Sequence, residues 1–188
     1  MYALFGKRVF DFMASLAALL CLLPIMLLIA VAIRLGDRGP ALFRQKRVGR
    51  NGHIFTLLKF RSMPICTADV PSDQAGVLVT TPVGRFIRRT NLDELPQLIN
   101  ILRGEMSVVG PRPALPKQSE LIEARISNGA IACRPGLTGL AQINAYDGMS
   151  SIQKSNWDGR YAARVTIVND IGIILSTFRY LLKPPPVY

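Results

Sequence analysis

The amino-acid sequence predicts a mostly helical α+β protein that is attached to a membrane near its N-terminus. No charged residue occurs between Phe12 and Ile33, and this run is close to the ~20 apolar residues that cross a bilayer core. Two strand-like segments around a glycine-containing turn predict a small β-hairpin, and later segments repeat apolar residues at helical spacing. We therefore expect a membrane segment at residues 1–36 and a cytosol-facing domain at residues 37–188.

The flanks of the apolar run and its central proline predict how this segment meets the membrane. Lys7 and Arg8 precede the run, and Arg34 and Arg38 follow it, so the positive-inside rule places both ends in the cytoplasm. Pro24 removes a helix hydrogen bond near the middle and bends the axis. These features favour a monotopic protein with a re-entrant helix-break-helix segment, and a kinked spanning helix is the alternative. A signal peptide is disfavoured because no small-residue cleavage site follows the run.

The composition restricts the kinds of partner and of chemistry. The 188 residues include 23 Lys and Arg against 12 Asp and Glu, which gives a net charge of +11. This excess predicts an anionic partner, such as a phosphorylated substrate, an acidic membrane surface or a nucleic acid. The cysteines are widely spaced and in no metal-ligand pattern, which favours a reduced protein without a zinc site. His53 is the only histidine, which argues against a Ser-His-Asp triad.

The predicted β-hairpin carries two basic residues on one face. Its strands are residues 41–48 and 53–63, and its turn is residues 49–52. Alternation along the second strand places Lys59 and Arg61 on the same side. Such a face can bind an anion or can simply be solvated.

A cationic helix follows the hairpin. Thr81 and Pro82 are suited to the cap and first position of a short helix. Arg85, Arg88 and Arg89 recur on it at three and four residues, so they share one face.

The next segment holds two adjacent carboxylates, Asp93 and Glu94, and predicts an amphipathic helix. Thr90 or Asn91 can cap its N-terminus, and Gly104 ends it. Both acids would then lie in the first turn, where the helix dipole favours negative charge and also attracts phosphate. Ordinary capping by acidic residues is the alternative interpretation.

The C-terminal half combines one constrained arginine with further helices. Arg112 lies between two prolines, which fix its backbone, and a pre-organised guanidinium is suited to phosphate. Residues 117–127 predict a helix, and residues 140–144 predict a short strand or loop with amide side chains. Residues 165–182 predict an amphipathic helix that lies on the membrane surface or on the core.

Five motifs occur in an order that resembles one known family. They are Lys-Arg-x-Phe-Asp at residues 7–11, Lys-Phe-Arg-Ser-Met at 59–63, Leu-Asp-Glu-Leu-Pro-Gln-Leu at 92–98, Gly-Glu-Met-Ser-Val-Val-Gly-Pro-Arg-Pro at 104–113 and Arg-Pro-Gly-Leu-Thr-Gly at 134–139. From about residue 6 to about residue 182 the chain resembles the bacterial sugar transferases, which are monotopic phosphoglycosyl transferases. Its length is similar to that of the minimal, catalytic-domain form of the family.

The resemblance implies an activity, its partners and a location. Such an enzyme transfers a sugar-1-phosphate from a UDP-sugar to undecaprenyl phosphate, a polyprenol phosphate, and releases UMP. The reaction is the first membrane step in the assembly of a polysaccharide or glycoconjugate, at the cytoplasmic face of the bacterial inner membrane. We therefore expect contacts with the UDP-sugar, undecaprenyl phosphate and membrane phospholipids, and no nucleic-acid partner. The oligomeric state, including a homodimer, is left open.

The resemblance also implies residue roles. Asp93 is expected to be the nucleophile of a covalent aspartyl-phosphosugar intermediate, and Glu94 is expected to help to hold Mg²⁺ beside it. The residues that match cationic, amide and membrane motif positions are Lys59, Arg88 and Arg112 as phosphate-binding residues, Gln142, Asn144 and Asp158 as candidate donor-binding residues, and Pro24 as the membrane break.

Three positions depart from the usual family pattern. Leu23 stands where a serine commonly precedes the membrane proline, so no hydroxyl is available to the backbone at that point. Leu140 and Tyr146 stand where relatives often have Trp and Arg. Contacts to the donor sugar and nucleotide therefore cannot be carried over at these two positions.

Two other functions are compatible with parts of the pattern. A basic, membrane-associated scaffold without catalysis would use the positive charge for adhesion alone, which leaves the Asp-Glu pair unexplained. A phosphatase or phosphotransferase with an aspartyl-phosphate intermediate and a different acceptor would use the same carboxylate. Its product, a free sugar phosphate rather than a lipid-linked diphosphate sugar, distinguishes it.

Overall fold

The computed structural model describes residues 2–64, 80–144 and 149–181. Helices predominate, as predicted. The α-helices are α1 Lys7–Asp37, α2 Pro82–Arg89, α3 Gln97–Arg103, α4 Ser119–Ser127, α5 Leu140–Ile143, α6 Ser151–Ala163 and α7 Ile167–Leu181. The strands are β1 Leu42–Val48, β2 Ile54–Phe60, β3 Ser107–Val109 and β4 Gly136–Thr138.

Helix α1 continues through Pro24 without interruption. This differs from the predicted helix-break-helix, because a proline removes one hydrogen bond and can bend a helix without ending it. Within the described residues, α1 is the one helix that is long and apolar enough to cross a membrane. One side of α1 is buried from Asp11 and Ser15 to Ile29 and Ile33. The exposed apolar side chains of α1 include Leu20, Leu23, Leu27, Leu28, Val31 and Leu35.

Local turn chemistry determines the hairpin and the start of α2 as predicted. Strands β1 and β2 pair antiparallel, and the turn between them includes Asn51 and Gly52 at positive φ, a conformation that these two residue types tolerate. The Thr81 side chain accepts a hydrogen bond from the N–H of Gly84, and Pro82 is the first residue of α2.

A second two-stranded sheet joins β3 to β4 in parallel, and the sequence analysis did not predict it. Ser107 lies opposite Gly136, and Val109 lies opposite Thr138. A Cβ atom on Gly136 would collide with the backbone nitrogen of Gly110, so this close approach requires glycine. The sheet connects the segment that ends in Pro113 to the start of α5.

A buried polar cluster, here called the anchor cluster, joins the start of α1 to β3, α6 and α7. Lys7 Nζ lies 2.7 Å from Asp170 Oδ2, and the Tyr161 hydroxyl donates to Asp170 Oδ1 at 2.8 Å. The Ser107 hydroxyl donates to Asp11 Oδ1 at 3.0 Å. Because four elements meet here, the cluster fixes both apolar helices to the rest of the protein.

Helix α7 is amphipathic, as predicted. Its inner side buries Asp170 and Ile173. Its outer side exposes apolar side chains at helical spacing, namely Val168, Ile171, Leu175 and Phe178. A helix with such a face is suited to the surface of a bilayer.

Candidate active site

Lys59 reaches the carboxylate pair from strand β2, and Asn100 of α3 holds that strand in register. The buried Asn100 side chain accepts a hydrogen bond from the N–H of Leu58 at 3.0 Å and donates to the carbonyl of Thr56 at 2.8 Å. The amide therefore bonds the backbone of β2 much as a neighbouring strand would. This fixes Lys59 relative to the turn that precedes α3.

The turn that carries the two carboxylates differs from the predicted helix start. Asn91 has a left-handed backbone and makes no side-chain cap, and Leu92–Glu94 form a single 3-10 turn. Helix α3 begins only at Gln97 and ends at Gly104 with φ of 84°, as predicted for its end. The left-handed residue redirects the chain, which an asparagine tolerates better than most residues do. Both acids therefore precede α3 instead of lying in its first turn.

Two cations hold Glu94, and one of them also lies near Asp93. Lys59 Nζ is 2.7 Å from Glu94 Oε1 and 3.8 Å from Asp93 Oδ2. Arg112 Nη2 is 3.0 Å from the same Glu94 oxygen. Both basic side chains thus meet one oxygen of Glu94. At 3.8 Å, Lys59 Nζ is beyond hydrogen-bond distance of Asp93 Oδ2, and the described residues that act on this carboxylate do so through their charge.

Arg88 completes the cationic surroundings. It lies on α2, directly before the turn with the two acids, and its positive charge acts on Asp93 together with those of Lys59 and Arg112. The structure therefore brings together the three predicted phosphate-binding residues around the Asp93–Glu94 pair.

The adjacent carboxylates have opposite electrostatic tendencies. Burial raises the pKa of Asp93 above its ordinary value, because the attraction of Lys59 is partly cancelled by repulsion from Glu94. Burial also disfavours the charge of Glu94, but Lys59 and Arg112 outweigh it, so the pKa of Glu94 lies far below its ordinary value. The surroundings therefore favour the charged form of Glu94 and disfavour the charged form of Asp93.

Asp158, a candidate donor-binding residue, is buried away from this pair. Its Oδ2 accepts from Arg125 Nε at 2.9 Å and from Arg125 Nη2 at 2.7 Å. The remaining Arg125 nitrogen, Nη1, donates to the backbone carbonyl of Arg112 at 2.9 Å. Asp158 is therefore connected to the carboxylate pair through two arginines.

The amides predicted to face the donor are bonded within their own segment. Residues 140–143 form the short helix α5 rather than a strand or loop, because Gly139 starts a helical turn there. Gln142 Nε2 donates to the carbonyl of Leu137 at 3.0 Å, and Asn144 Nδ2 donates to the carbonyl of Leu140 at 2.8 Å. Tyr146 lies outside the described residues.

The donor set of the pair fits magnesium better than a transition metal. No group of three or more His, Cys, Asp or Glu side chains forms a metal site in the described part of the chain. Mg²⁺ is commonly bound by one or two carboxylates and completes its shell with water and substrate phosphates. The Asp93–Glu94 pair is such a set, since Lys59 and Arg112 both bond Oε1 of Glu94 and leave its second oxygen to other ligands.

The structure combines exposed apolar helices with an Asp-Glu pair among basic side chains. This combination is suited to transferring phosphate-containing groups at a membrane, as in a membrane-associated transferase. A sequence pattern described as bacterial sugar transferase matches residues 2–184. The chain belongs to this family.

Several curated relatives cover nearly all of the chain. It is 41% identical over 192 residues to a UDP-glucose:undecaprenyl-phosphate glucose-1-phosphate transferase of Caulobacter vibrioides, which covers 97% of this chain and 72% of that protein. It is 35% identical over 201 residues to an undecaprenyl-phosphate galactose phosphotransferase of Salmonella typhimurium, which covers 98% of this chain but only 42% of that protein. It is 40% identical over 188 residues to the exopolysaccharide production protein PSS of Rhizobium leguminosarum bv. phaseoli. This match covers 91% of this chain and 92% of that protein.

Sequence reasoning missed two residues that shape the site, Asn100 and Arg125. Asn100 interrupts the apolar stripe of α3 at a fully buried position, and a polar residue on a buried helix face is a signal that could have indicated its role. Arg125 gave no comparable signal, because its partner Asp158 is 33 positions away in the chain.

Proposed function

We propose that this protein transfers a sugar-1-phosphate from a UDP-sugar to undecaprenyl phosphate and releases UMP, through a covalent intermediate on Asp93. The observation that carries the proposal is the Asp93–Glu94 pair, in which Glu94 holds Lys59 and Arg112 and Asp93 lies 3.8 Å from Lys59, beyond hydrogen-bond distance. Two relatives of the chain are named as transferases that use undecaprenyl phosphate.

The chemistry has two displacements at one phosphorus atom. An Asp93 oxygen attacks the phosphorus that carries the sugar, the bond from that phosphorus to the UMP oxygen breaks, and UMP leaves. An oxygen of undecaprenyl phosphate then attacks the same phosphorus, the bond to Asp93 breaks, and the carboxylate is restored. The lipid product carries a diphosphate sugar. The covalent route divides one difficult displacement into two easier ones.

The basic residues and a magnesium ion share the task of neutralising phosphate charge. Lys59, Arg88 and Arg112 would contact the diphosphate of the donor, because the positive charge of each acts on the carboxylate that attacks it. Asp93 and Glu94 would hold Mg²⁺, which when bound stabilises the charge that develops on the phosphate oxygens. Glu94 keeps Lys59 and Arg112 in place before the substrate arrives.

We also propose that α1 is re-entrant, or lies within one leaflet, with the site on the cytoplasmic face. Its buried side contacts the rest of the protein near both ends, from Lys7 to Ile33. A helix that crossed the bilayer would carry much of that side away from a cytosolic domain. The exposed apolar sides of α1 and α7 would contact phospholipids, which places the site where a lipid phosphate meets a soluble nucleotide sugar.

The activity is tested by incubating the membrane fraction with undecaprenyl phosphate, Mg²⁺ and a panel of UDP-sugars. We expect UMP and a lipid-linked diphosphate sugar with one donor, and loss of both products in Asp93→Ala, in Glu94→Ala and after addition of a chelator. Glu120→Ala is the matched control, since Glu120 is an exposed carboxylate on α4. Release of free sugar phosphate instead would identify the aspartyl-phosphate phosphatase.

The covalent step has its own test. Without any acceptor lipid, labelled UMP should exchange into the UDP-sugar, because the first displacement is reversible. Asp93→Ala should abolish the exchange. Full transfer activity without exchange would show that the sugar phosphate passes directly between the two substrates.

The membrane topology is tested with single cysteines at the two ends of α1. Ala3 is exposed, and a Cβ on Gly36 would meet no atom within 4 Å, so Ala3→Cys and Gly36→Cys fit the structure. In a background that lacks the native cysteines, we expect neither to react with an impermeant maleimide in intact cells until the membrane is permeabilised. Labelling of one end only, without permeabilisation, would show that α1 spans the membrane.

A further inference from the structure

The backbone of Arg112 is held from the interior of the protein, whereas its side chain is 44% exposed. The Arg112 carbonyl accepts the hydrogen bond from Arg125 Nη1, and prolines at 111 and 113 restrict the chain on both sides. The backbone that carries the Arg112 guanidinium is therefore held by a contact from the buried Arg125 side chain.

The residue that holds Arg112 is itself oriented by Asp158. Arg125 is 5% exposed and Asp158 is 1% exposed, and two of the three Arg125 nitrogens bond one oxygen of Asp158. This two-point contact sets the plane of the guanidinium. The third nitrogen can then point only at the carbonyl of Arg112.

Stability alone is a weak reason for a buried ion pair at this place. Removing two charges from water costs several kcal/mol per ion, and well-packed apolar residues of similar volume are often equally stable or more stable. The pair of Arg125 and Asp158 does link α4 to α6, but an apolar contact could do the same. A directed donor to the Arg112 carbonyl is what an apolar pair could not supply.

We propose that Asp158 and Arg125 are positioning residues that act through the backbone of Arg112 to hold its guanidinium at Glu94. Asp158 therefore affects the reaction without contacting the donor. The proposal rests on the proposed function, in which Arg112 neutralises phosphate charge. A displacement of about 1 Å in such a group can reduce a rate by about 100-fold.

The test is a double-mutant cycle between Asp158→Asn and Arg112→Ala, with kcat and KM measured for the donor that the panel identifies. In the otherwise unchanged enzyme, Asp158→Asn should reduce kcat by roughly 10–100-fold with little change in KM. In the Arg112→Ala background it should cause less than about a twofold further loss, because the group that it positions is absent. Equal losses in both backgrounds would overturn the proposal and favour a direct donor contact.

Two further variants separate positioning from folding. Asp170→Asn removes a buried carboxylate of the anchor cluster, so its effect on kcat should be the same with and without Arg112. Arg125→Met combined with Asp158→Leu removes both buried charges together, and should fold with a Tm near that of the wild type while keeping the low kcat of Asp158→Asn. Recovery of kcat in this apolar pair would contradict a positioning role.

Amide hydrogen exchange tests the positioning role without any turnover of substrate. Amide hydrogen exchange of residues 107–118 should be faster in Asp158→Asn than in the wild type, while exchange in α1 stays unchanged. Unchanged exchange at residues 107–118 would overturn the proposal even if no donor were found. Faster exchange in an enzyme that uses none of the donors would overturn the proposed function alone.

Discussion

Two buried carboxylates, Asp170 and Asp93, have opposite surroundings. Asp170 is completely buried and accepts three hydrogen bonds, from Lys7 Nζ at 2.7 Å, the Tyr2 hydroxyl at 2.7 Å and the Tyr161 hydroxyl at 2.8 Å. Asp93 is nearly as buried, at 7% exposure, but Lys59 Nζ lies 3.8 Å from its Oδ2, which is too far for a hydrogen bond. One carboxylate is fully satisfied, and the other is only electrostatically balanced.

The difference in hydrogen bonding distinguishes a carboxylate that stabilises the fold from one suited to reaction or ligand binding. A buried charge with all its hydrogen bonds formed stabilises the arrangement around it and is costly to remove. A buried charge that lacks hydrogen bonds lowers stability, and it is retained where reactivity or ligand binding requires it. On this basis Asp170 holds α1 and α7 to the core, whereas Asp93 is the carboxylate that the proposed mechanism uses as its nucleophile.

The largest effect is expected for Asp93→Asn, and it should fall on activity alone. Removal of a nucleophile reduces turnover by about 1000-fold or more. The amide has nearly the same volume and no hydrogen bond to Asp93 is lost, so Tm should not decrease. Initial rates of UMP release and thermal unfolding of the solubilised protein measure both quantities. A decrease in Tm as large as that of Asp170→Asn would remove the contrast between the two carboxylates.

Asp170→Asn should have the opposite outcome, with a large effect on stability. The substitution removes the 2.7 Å contact between Lys7 Nζ and Asp170 and leaves the buried ammonium only the Asp11 carboxylate at 3.9 Å. Breaking a buried pair in this way costs about 3–5 kcal/mol and lowers Tm by roughly 10 °C in a chain of this size. Specific activity at a permissive temperature should stay within a few-fold of the wild type. Adding Lys7→Met should recover part of the Tm, because the buried ammonium that lost its nearer partner is then gone. No recovery would mean that the ammonium group is not what Asp170 stabilises.

The sequence allowed prediction of elements whose cause is local. The hairpin follows from the turn at Asn51 and Gly52, and the start of α2 follows from Thr81 and Pro82, because these residues act on the backbone beside them. The predicted start of α3 was wrong by several residues, because Asn91 adopts a left-handed conformation that the neighbouring sequence does not indicate.

Contacts between distant parts of the chain were not predictable in the same way. Strands β3 and β4 have three residues each, which is too short for a periodic pattern. They pair with each other although more than twenty residues of the chain separate them. The Asp93–Glu94 pair was found because its residues are adjacent and resemble a family motif. Asp158 was found by the same resemblance, but its partner Arg125 could be identified only from the fold.

A smaller effect is expected when the anchor cluster loses one hydroxyl. The Tyr161 hydroxyl lies 3.0 Å from the carbonyl of Val109 and 2.8 Å from Asp170 Oδ1, so the two acceptors share its one proton. Tyr161→Phe keeps the ring in the core but leaves both acceptors short of a hydrogen bond, so the free energy of unfolding should fall by about 1–3 kcal/mol. Denaturant unfolding measures it. A loss of activity larger than the loss of folded protein would indicate that the anchor cluster also acts on the site.

The smallest effect is a pH dependence of stability with opposite signs at Asp93 and Glu94. Because the pKa of Asp93 is raised in the folded protein, its ionisation opposes folding. Asp93→Asn should match the wild type in Tm below the ordinary carboxyl range, near pH 4, and exceed it increasingly as the pH rises through and above that range. The pKa of Glu94 is lowered, so Glu94→Gln should be less stable than the wild type at pH 7, with a difference that shrinks as the pH falls below about 4. Thermal unfolding of the three proteins between about pH 2 and pH 8 measures both trends. The same sign for both variants would mean that the two neighbours are stabilised alike, and the distinction between a reactive and a supporting carboxylate would then be lost.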